Sequence, residues 1–197
     1  MSYITSRQVQ EMVERFGAPR EMEISLELTP AEFSMLCGSR KRERSHDITL
    51  FIFREDGGEE FAVIAKPFFP PGVWRAPSGA AHPGESLEEG ALREAREETG
   101  LEVQLERFIL LVRARFTCGP EFEDWTSYVF TARMTGGELQ QQDTEEISEV
   151  RWLSLEELLG EVREKLRMTG MPLFQYRLRL HDEAAREIRR LRGMGAG

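Results

Sequence analysis

The chain has 197 residues, 40% of them hydrophobic and 31% charged, with a formal net charge of −9. This is the composition of a globular chain rather than a disordered one, and its acidic balance argues against a general nucleic-acid binder, which presents a basic face. No apolar run is long enough to span a bilayer, residues 1–12 lack the apolar core of a secretion signal, and Cys37 and Cys118 form no metal-type pair, so a reduced, cytoplasmic setting is expected.

In chain order, Thr5 and Gln8 form a capping box ahead of Val9, Met12, Val13 and Phe16, which follow helical spacing until Gly17 and Pro19. Residues 21–28 alternate, with Met22, Ile24, Leu26 and Leu28 inward and Glu21, Glu23, Ser25 and Glu27 outward, the pattern of a half-buried strand. Thr29-Pro30-Ala31-Glu32 opens a second short helix with proline at its first position. The basic run Arg40, Lys41, Arg42 and Arg44 reads as a solvated linker, with a phosphate-facing loop as the alternative. Residues 47–54 are apolar on both faces and suit a central strand. Asp56-Gly57-Gly58 turns the chain, and residues 61–66 return as the second arm of a hairpin. A stiff loop with Pro67, Pro70, Pro71 and Gly72 leads to a short strand expected over 73–76. Phe69 and Trp74 are candidates to wall a base pocket, against the commoner fate of burial in the core.

The most informative stretch is 79–101. Ser86 and Glu89 form a capping box, and Gly100 is a natural helix stop. Between them Glu94, Glu97 and Glu98 fall at i, i+3 and i+4, so three carboxylates share one helix face. Like charges at that spacing weaken a helix, whereas a hard cation such as Mg²⁺ takes a few carboxylates and accepts substrate phosphates as further ligands. A Pro/Gly-bearing loop, 76–84, precedes this helix.

Beyond it, residues 105–117 and 125–134 read as two strands, joined by Cys118-Gly119-Pro120 and an acidic, aromatic loop over 121–124. Gly136-Gly137 marks a turn, and 140–148 a polar loop carrying Asp143, Glu145 and Glu146. A short strand at 150–153 precedes a helix capped by Ser154 and Glu157, with Leu155, Leu158, Leu159, Val162 and Leu166 on its apolar face. A last helix spans about 172–191, with Phe174, Leu178, Ala185, Ile188 and Leu191 near one side. Its arginines (Arg177, Arg179, Arg186, Arg189, Arg190) read as a solvated face. The GMGAG tail reads as disordered.

The spacing G-x5-E-x7-R-E-U-x-E-E-x-G-U, with U apolar, resembles the box of the Nudix hydrolases: Gly79, Glu85, Arg93, Glu94, Glu97, Glu98 and Gly100 fall on its fixed positions, and Ala95 and Leu101 on its apolar ones. The resemblance implies an α/β fold, a Nudix-type α/β/α sandwich around a mixed β-sheet, here with an N-terminal α/β extension over 1–45, the core domain over 46–168, and a C-terminal helix and tail over 169–197. It implies a divalent-metal-dependent pyrophosphohydrolase using Mg²⁺ or Mn²⁺. Glu94, Glu97 and Glu98 would hold the metal with the backbone carbonyl of Ser78, and Arg93 and Glu85, beside Gly79, would orient them. Glu145 and Glu146 are the candidates for general base, and Arg75 and His82 join Trp74 and Phe69 as candidate substrate contacts. The substrate would be a nucleoside diphosphate derivative, with a lean toward ADP-ribose or a nucleotide sugar because Ser78 stands where such members often carry alanine. A house-cleaning nucleoside triphosphate pyrophosphatase and a non-catalytic metabolite sensor are the alternatives. The expected partner is a nucleotide-derived small molecule, with no general nucleic-acid binding and no membrane. The strand at 21–28 lies outside the domain the box implies and leaves an edge and an apolar side to be covered, so a homodimer is expected.

Overall fold

The structure, a computed structural model, describes residues 4–39, 44–54, 58–142 and 144–193. Arg40, Lys41 and Arg42 of the basic run, Asp56-Gly57 of the first turn, Asp143, and the tail beyond Gly193 lie outside the described residues.

One mixed sheet organises the chain, in the order β1-β5-β6-β2-β3-β7, with the two-residue β4 paired to β2. The strands are β1 (Arg20–Glu27), β2 (His46–Phe53), β3 (Glu60–Ala65), β4 (Ser78–Gly79), β5 (Leu101–Cys118), β6 (Glu121–Gly137) and β7 (Glu149–Ser154). Every residue of β2 is buried, as its two-sided apolar sequence requires. It runs parallel to β6, from His46 opposite Thr126 to Phe53 opposite Arg133, and antiparallel to β3 at Phe53–Phe61. Its alternate side chains serve two cores. Ile48, Leu50 and Ile52 join one cluster, and Phe51 and Phe53 the other.

On the first face pack α1 (Ser6–Phe16), through Met12 and Phe16, and α3 (Leu87–Thr99), through Leu87, Ala91 and Ala95. The Thr5–Gln8 box starts α1 and the Ser86–Glu89 box starts α3. On the second face pack α2 (Pro30–Ser39), α5 (Arg163–Met168) and α6 (Pro172–Leu191). The helix predicted after Ser154 is divided: α4 (Leu155–Glu157) passes through a π-helical turn, Leu158–Val162, into α5. Its apolar set holds regardless, with Leu155, Leu158, Val162 and Leu166 all buried.

Four sequence expectations change. Residues 73–76 make a single bridge, Ile64 to Arg75, rather than a strand, and the pairing with β2 is made by Ser78 and Gly79. The loop expected over 121–124 belongs to β6. Asp124 faces Arg115 across the ladder, with Nε–Oδ1 at 2.7 Å, and Arg115 also lies 4.6 Å over the Phe122 ring. Such cross-strand pairs carry the ladder past the point where the apolar pattern ends. Gly137, expected in a turn, is still paired with Leu101. Finally, β1 finds its partner within the chain. It adds parallel to β5, from Arg20 opposite Leu110 to Glu27 opposite Thr117. Ile24 and Leu28 enter the same core as α6, and Arg20 reaches Glu183 of α6 at 3.1 Å. No second subunit is needed to cover its apolar side. Among the described residues no helix is long and apolar enough to cross a membrane.

Candidate active site

The carboxylate helix α3 is pressed onto the segment before it. Gly90 has no side chain because a Cβ there would lie 2.7 Å from the Ala81 Cα. At its far end Gly100 takes φ 74°, the left-handed conformation that a stop of this kind needs. The helix therefore presents its acidic face to residues 78–85 at close range.

Arg93 is the hub of that face. Its Nε and Nη2 grip the Glu85 carboxylate at 3.0 Å each, Nη2 donates to the Ala80 carbonyl at 2.6 Å, and Nη1 donates to Glu94 and Glu97, each at 2.9 Å. These bonds, helped by the His82 N–H at 2.7 Å, hold the Glu85 carboxyl down to about 2. Burial alone would lower the Arg93 pKa, and its carboxylate partners more than reverse that.

Glu98 is the deepest of the three acids, 6% exposed. It accepts the Ser78 N–H at 2.7 Å and faces Arg75 Nη2 at 3.3 Å and Lys66 Nζ at 3.8 Å. Burial pushes its carboxyl above the usual range, and Arg75 and Lys66 oppose the rise. Glu94 accepts the Ala80 N–H at 3.1 Å, and its carboxyl occupies the space where a side chain on Gly79 would stand. Glu94 and Glu98 thus meet the backbone on either side of Gly79, beside the Ser78 carbonyl. Glu97 points outward, half exposed, onto Arg93. Among the described residues no three His, Cys, Asp or Glu side chains converge as a ready metal cluster. The acids pair with Arg75, Lys66 and Arg93.

A cleft of about 710 Å³ opens beside this face. Gly79, His82, Arg93, Glu94, Glu97 and Glu98 form one wall. The opposite wall is apolar and comes from outside the carboxylate motif. Met35 and Leu36 of α2 meet Phe68 and Phe69 of the 66–72 loop and Leu173 and Phe174 of α6. Phe69 stands edge-on to Phe174, with ring centroids 5.2 Å apart. The deep end is charged. Asp47, at the start of the otherwise apolar β2, accepts from Trp125 Nε1 at 3.0 Å, from Ser127 Oγ, and from Arg177 Nη2 at 3.4 Å. Burial raises the Asp47 carboxyl, but Arg177, Ser127, Arg44 and Trp125 outweigh it and leave it below its usual range.

Arg75, His82 and Phe69 are therefore in the cleft with Ser78 and the three glutamates. Trp74 is not, since it turns into the core with the Arg151 guanidinium 4.7 Å over its ring, while its neighbours Val73 and Arg75 face the cleft. Adjacent residues of an extended segment point opposite ways. Glu146 lines the cleft and meets Lys66 at 3.2 Å, whereas Glu145 lines only an adjoining, more open depression that it shares with Glu146, Lys66, Pro67 and Phe68. Arg177, expected on a solvated face, is only 15% exposed in its side chain and is bonded to Asp47 and Thr49. Arg44, expected in a solvated linker, also lines the cleft. The one sequence signal for this end was Asp47, because a charge at the head of a buried strand demands a partner.

Residues 44–173 match the family model of the NUDIX domain. The chain belongs to the Nudix family. Members of this family are hydrolases that act on pyrophosphate bonds and generally use divalent metal ions. The NAD-capped RNA hydrolase NudC of Stutzerimonas stutzeri is 34% identical over 101 residues, which cover 51% of this chain and 34% of that protein. NudC of Pseudomonas entomophila is 38% identical over 101 residues, again 51% and 34%. The chain thus spans about a third of the length of these relatives. A Nudix hydrolase structure from Nitrosomonas europaea aligns with a TM-score of 0.48 and 20% identity, covering 69% of this chain and 86% of that one.

Proposed function

We propose that this Nudix domain is a divalent-metal-dependent pyrophosphohydrolase that cleaves the diphosphate linkage joining a nucleoside to a second moiety. The observation that carries the reading is Glu98, a buried carboxylate lining the cleft beside Glu94 and facing Arg75 and Lys66. The donor types suit a hard ion, with Glu98 on the Ser78 N–H and Glu94 on the Ala80 N–H, the Ser78 carbonyl accepting from Arg75 Nη2 at 3.4 Å, and Glu97 on the same helix α3. Such an ion, Mg²⁺ or Mn²⁺, would neutralise phosphoryl oxygens and activate water. Arg93 holds Glu94 and Glu97 in place from the far side and is itself fixed by Glu85. Arg75 and Lys66 stand on Glu98, positioned to turn to substrate phosphates.

For the base we favour Glu146 over Glu145. Glu146 faces the cleft, with Lys66 between it and Glu98, and Glu145 does not line it. The apolar wall, with Phe69 against Phe174, suits a flat ring rather than a bare triphosphate, which favours a nucleotide joined to another group. The relatives named for NAD-capped RNA hydrolysis favour the same class, so dinucleotides join ADP-ribose and nucleotide sugars as leading candidates. The test is hydrolysis of NAD⁺, ADP-ribose, nucleotide sugars and nucleoside triphosphates with and without Mg²⁺. Metal-dependent release of a nucleoside monophosphate from one of the first three, lost in Glu98→Gln, is expected. Binding without turnover across the panel would overturn the enzyme reading in favour of a sensor.

A further inference from the structure

The deep end of the cleft holds hydrogen-bond donors that the reaction at α3 does not use. Arg177 reaches it from α6, anchored by Nη1 to Thr49 Oγ1 at 3.2 Å and Nη2 to Asp47 at 3.4 Å. A guanidinium has five N–H donors. These two bonds leave three without a partner among the described residues, on a side chain that lines the cleft. Arg75 is beside it, 7% exposed, and its Nε has no hydrogen-bond partner among the described residues. Arg44 is fixed by Nε to the His46 carbonyl at 2.9 Å and lies 5.4 Å over the Trp125 ring. All three arginines act electrostatically on Asp47, which is already held by Trp125 and Ser127, and Arg75 also faces the buried Glu98. The open N–H groups of Arg177 and the orphaned Nε of Arg75 are donors in a partly desolvated pocket. An anion with several acceptor oxygens matches unsatisfied N–H donors of this kind.

We propose that Arg177, with Arg75 and Arg44 around Asp47, forms a second anion subsite in the cleft that takes a phosphate monoester group. This rests on the reading that the cleft receives phosphorylated nucleotides, and it adds a phosphate beyond the pair being cleaved. The subsite is built by α6, by the residues just before β2, and by the 66–78 loop, and it touches the carboxylates of α3 through Arg75, which faces Glu98 at 3.3 Å. Its phosphate is carried on the substrate or is free phosphate occupying the same donors.

The test is binding to the full-length protein in excess chelator, where no turnover occurs. Inorganic phosphate, AMP, and adenosine 2′,5′- and 3′,5′-bisphosphate are titrated at constant ionic strength, by calorimetry and by the fluorescence of the tryptophans, one of which is Trp125. Binding of phosphate, or a preference of about tenfold or more for a bisphosphate over AMP, is expected. It should vanish in Arg177→Gln and weaken in Arg177→Lys, which keeps a charge for Asp47 and serves if the glutamine variant does not fold. A bisphosphate preference that depends on Arg177 assigns the group to the substrate, and binding of inorganic phosphate alone assigns it to the free ion. Wild-type protein that binds neither phosphate nor the extra group, or variants that bind both as the wild type does, overturns the subsite. Because no metal is present, that failure leaves the hydrolase reading untouched, and a loss of Mg²⁺-dependent hydrolysis would not bear on the subsite.

Discussion

The pair Glu85–Arg93 gives the sharpest quantitative expectation. Two bonds of 3.0 Å join them, and the Glu85 carboxyl is held at about 2 against an ordinary 4.5. At roughly 1.4 kcal/mol per unit the ceiling of the contribution is about 3 kcal/mol. The carboxylate keeps some contact with solvent, so screening reduces this to about 1–2 kcal/mol. The sign follows from linkage: a depressed folded-state value stabilises above pH 4.5, and that stabilisation is lost as pH falls from 4.5 toward 2. Glu85→Gln should therefore cost about 1–2 kcal/mol at pH 7 in urea unfolding and almost nothing near pH 2. The measurement is the difference between variant and wild type at matched pH, which removes the acid sensitivity they share. A difference that stays constant from pH 7 to 2.5 would refute the reasoning, because it would place the cost in lost packing rather than in the ion pair.

Other outcomes follow from the same geometry. His46 is fully buried, and burial lowers its pKa to about 4, so charging it opposes folding as pH falls from 6.5 to 4. Wild-type stability should drop by about 2 kcal/mol between pH 7.5 and 5 from this group, and His46→Asn should flatten that slope in denaturant titrations. Gly79→Ala would drive a methyl group into the Glu94 carboxyl, so any rise in melting temperature produced by Mg²⁺ in the wild type should shrink or disappear, as followed by thermal melts with and without the ion. Glu146→Gln should lower kcat by about 10²-fold with little change in KM, and Glu145→Gln should be near neutral in steady-state kinetics. Phe174→Ala should mainly raise KM, as it removes one ring of the apolar wall and leaves the acids in place.

Legibility in the sequence tracked the range of the interactions. The caps at Thr5, Ser86 and Ser154, the stop at Gly100 and the carboxylate face of α3 are local, set by residues three or four apart, and they stand as read. The burial of β2 was legible because nearly every residue in it is apolar. What was hidden depends on residues far apart. Residues 73–76 form one bridge where a strand was expected, because the pairing partner of β2 is Ser78-Gly79. The ends of β5 and β6 are extended by pairs such as Arg115–Asp124, which carry no apolar signature. Arg177 looks like any helix-surface arginine until Asp47, 130 residues away, is placed opposite it. The acidic wall of the cleft could be named from one stretch of sequence. The apolar and basic walls come from α2, α6 and the segment before β2, and they exist only once the sheet has brought those elements together.

The parallel pairing of β1 with β5 also bears on how the chain is made. Arg20 pairs with Leu110, so β1 is synthesised 90 residues before its partner strand. At about 5–20 residues per second, that is a wait of about 5–20 s with both of its backbone edges open. A strand left in that state is a template for adventitious pairing with other chains. The glutamates at 21, 23 and 27, which alternate with Met22, Ile24 and Leu26, place negative charge along the waiting segment and discourage self-association until β5 emerges. Long-range pairing of this kind is intrinsically slow to form, so the charge along β1 protects it through the wait for β5.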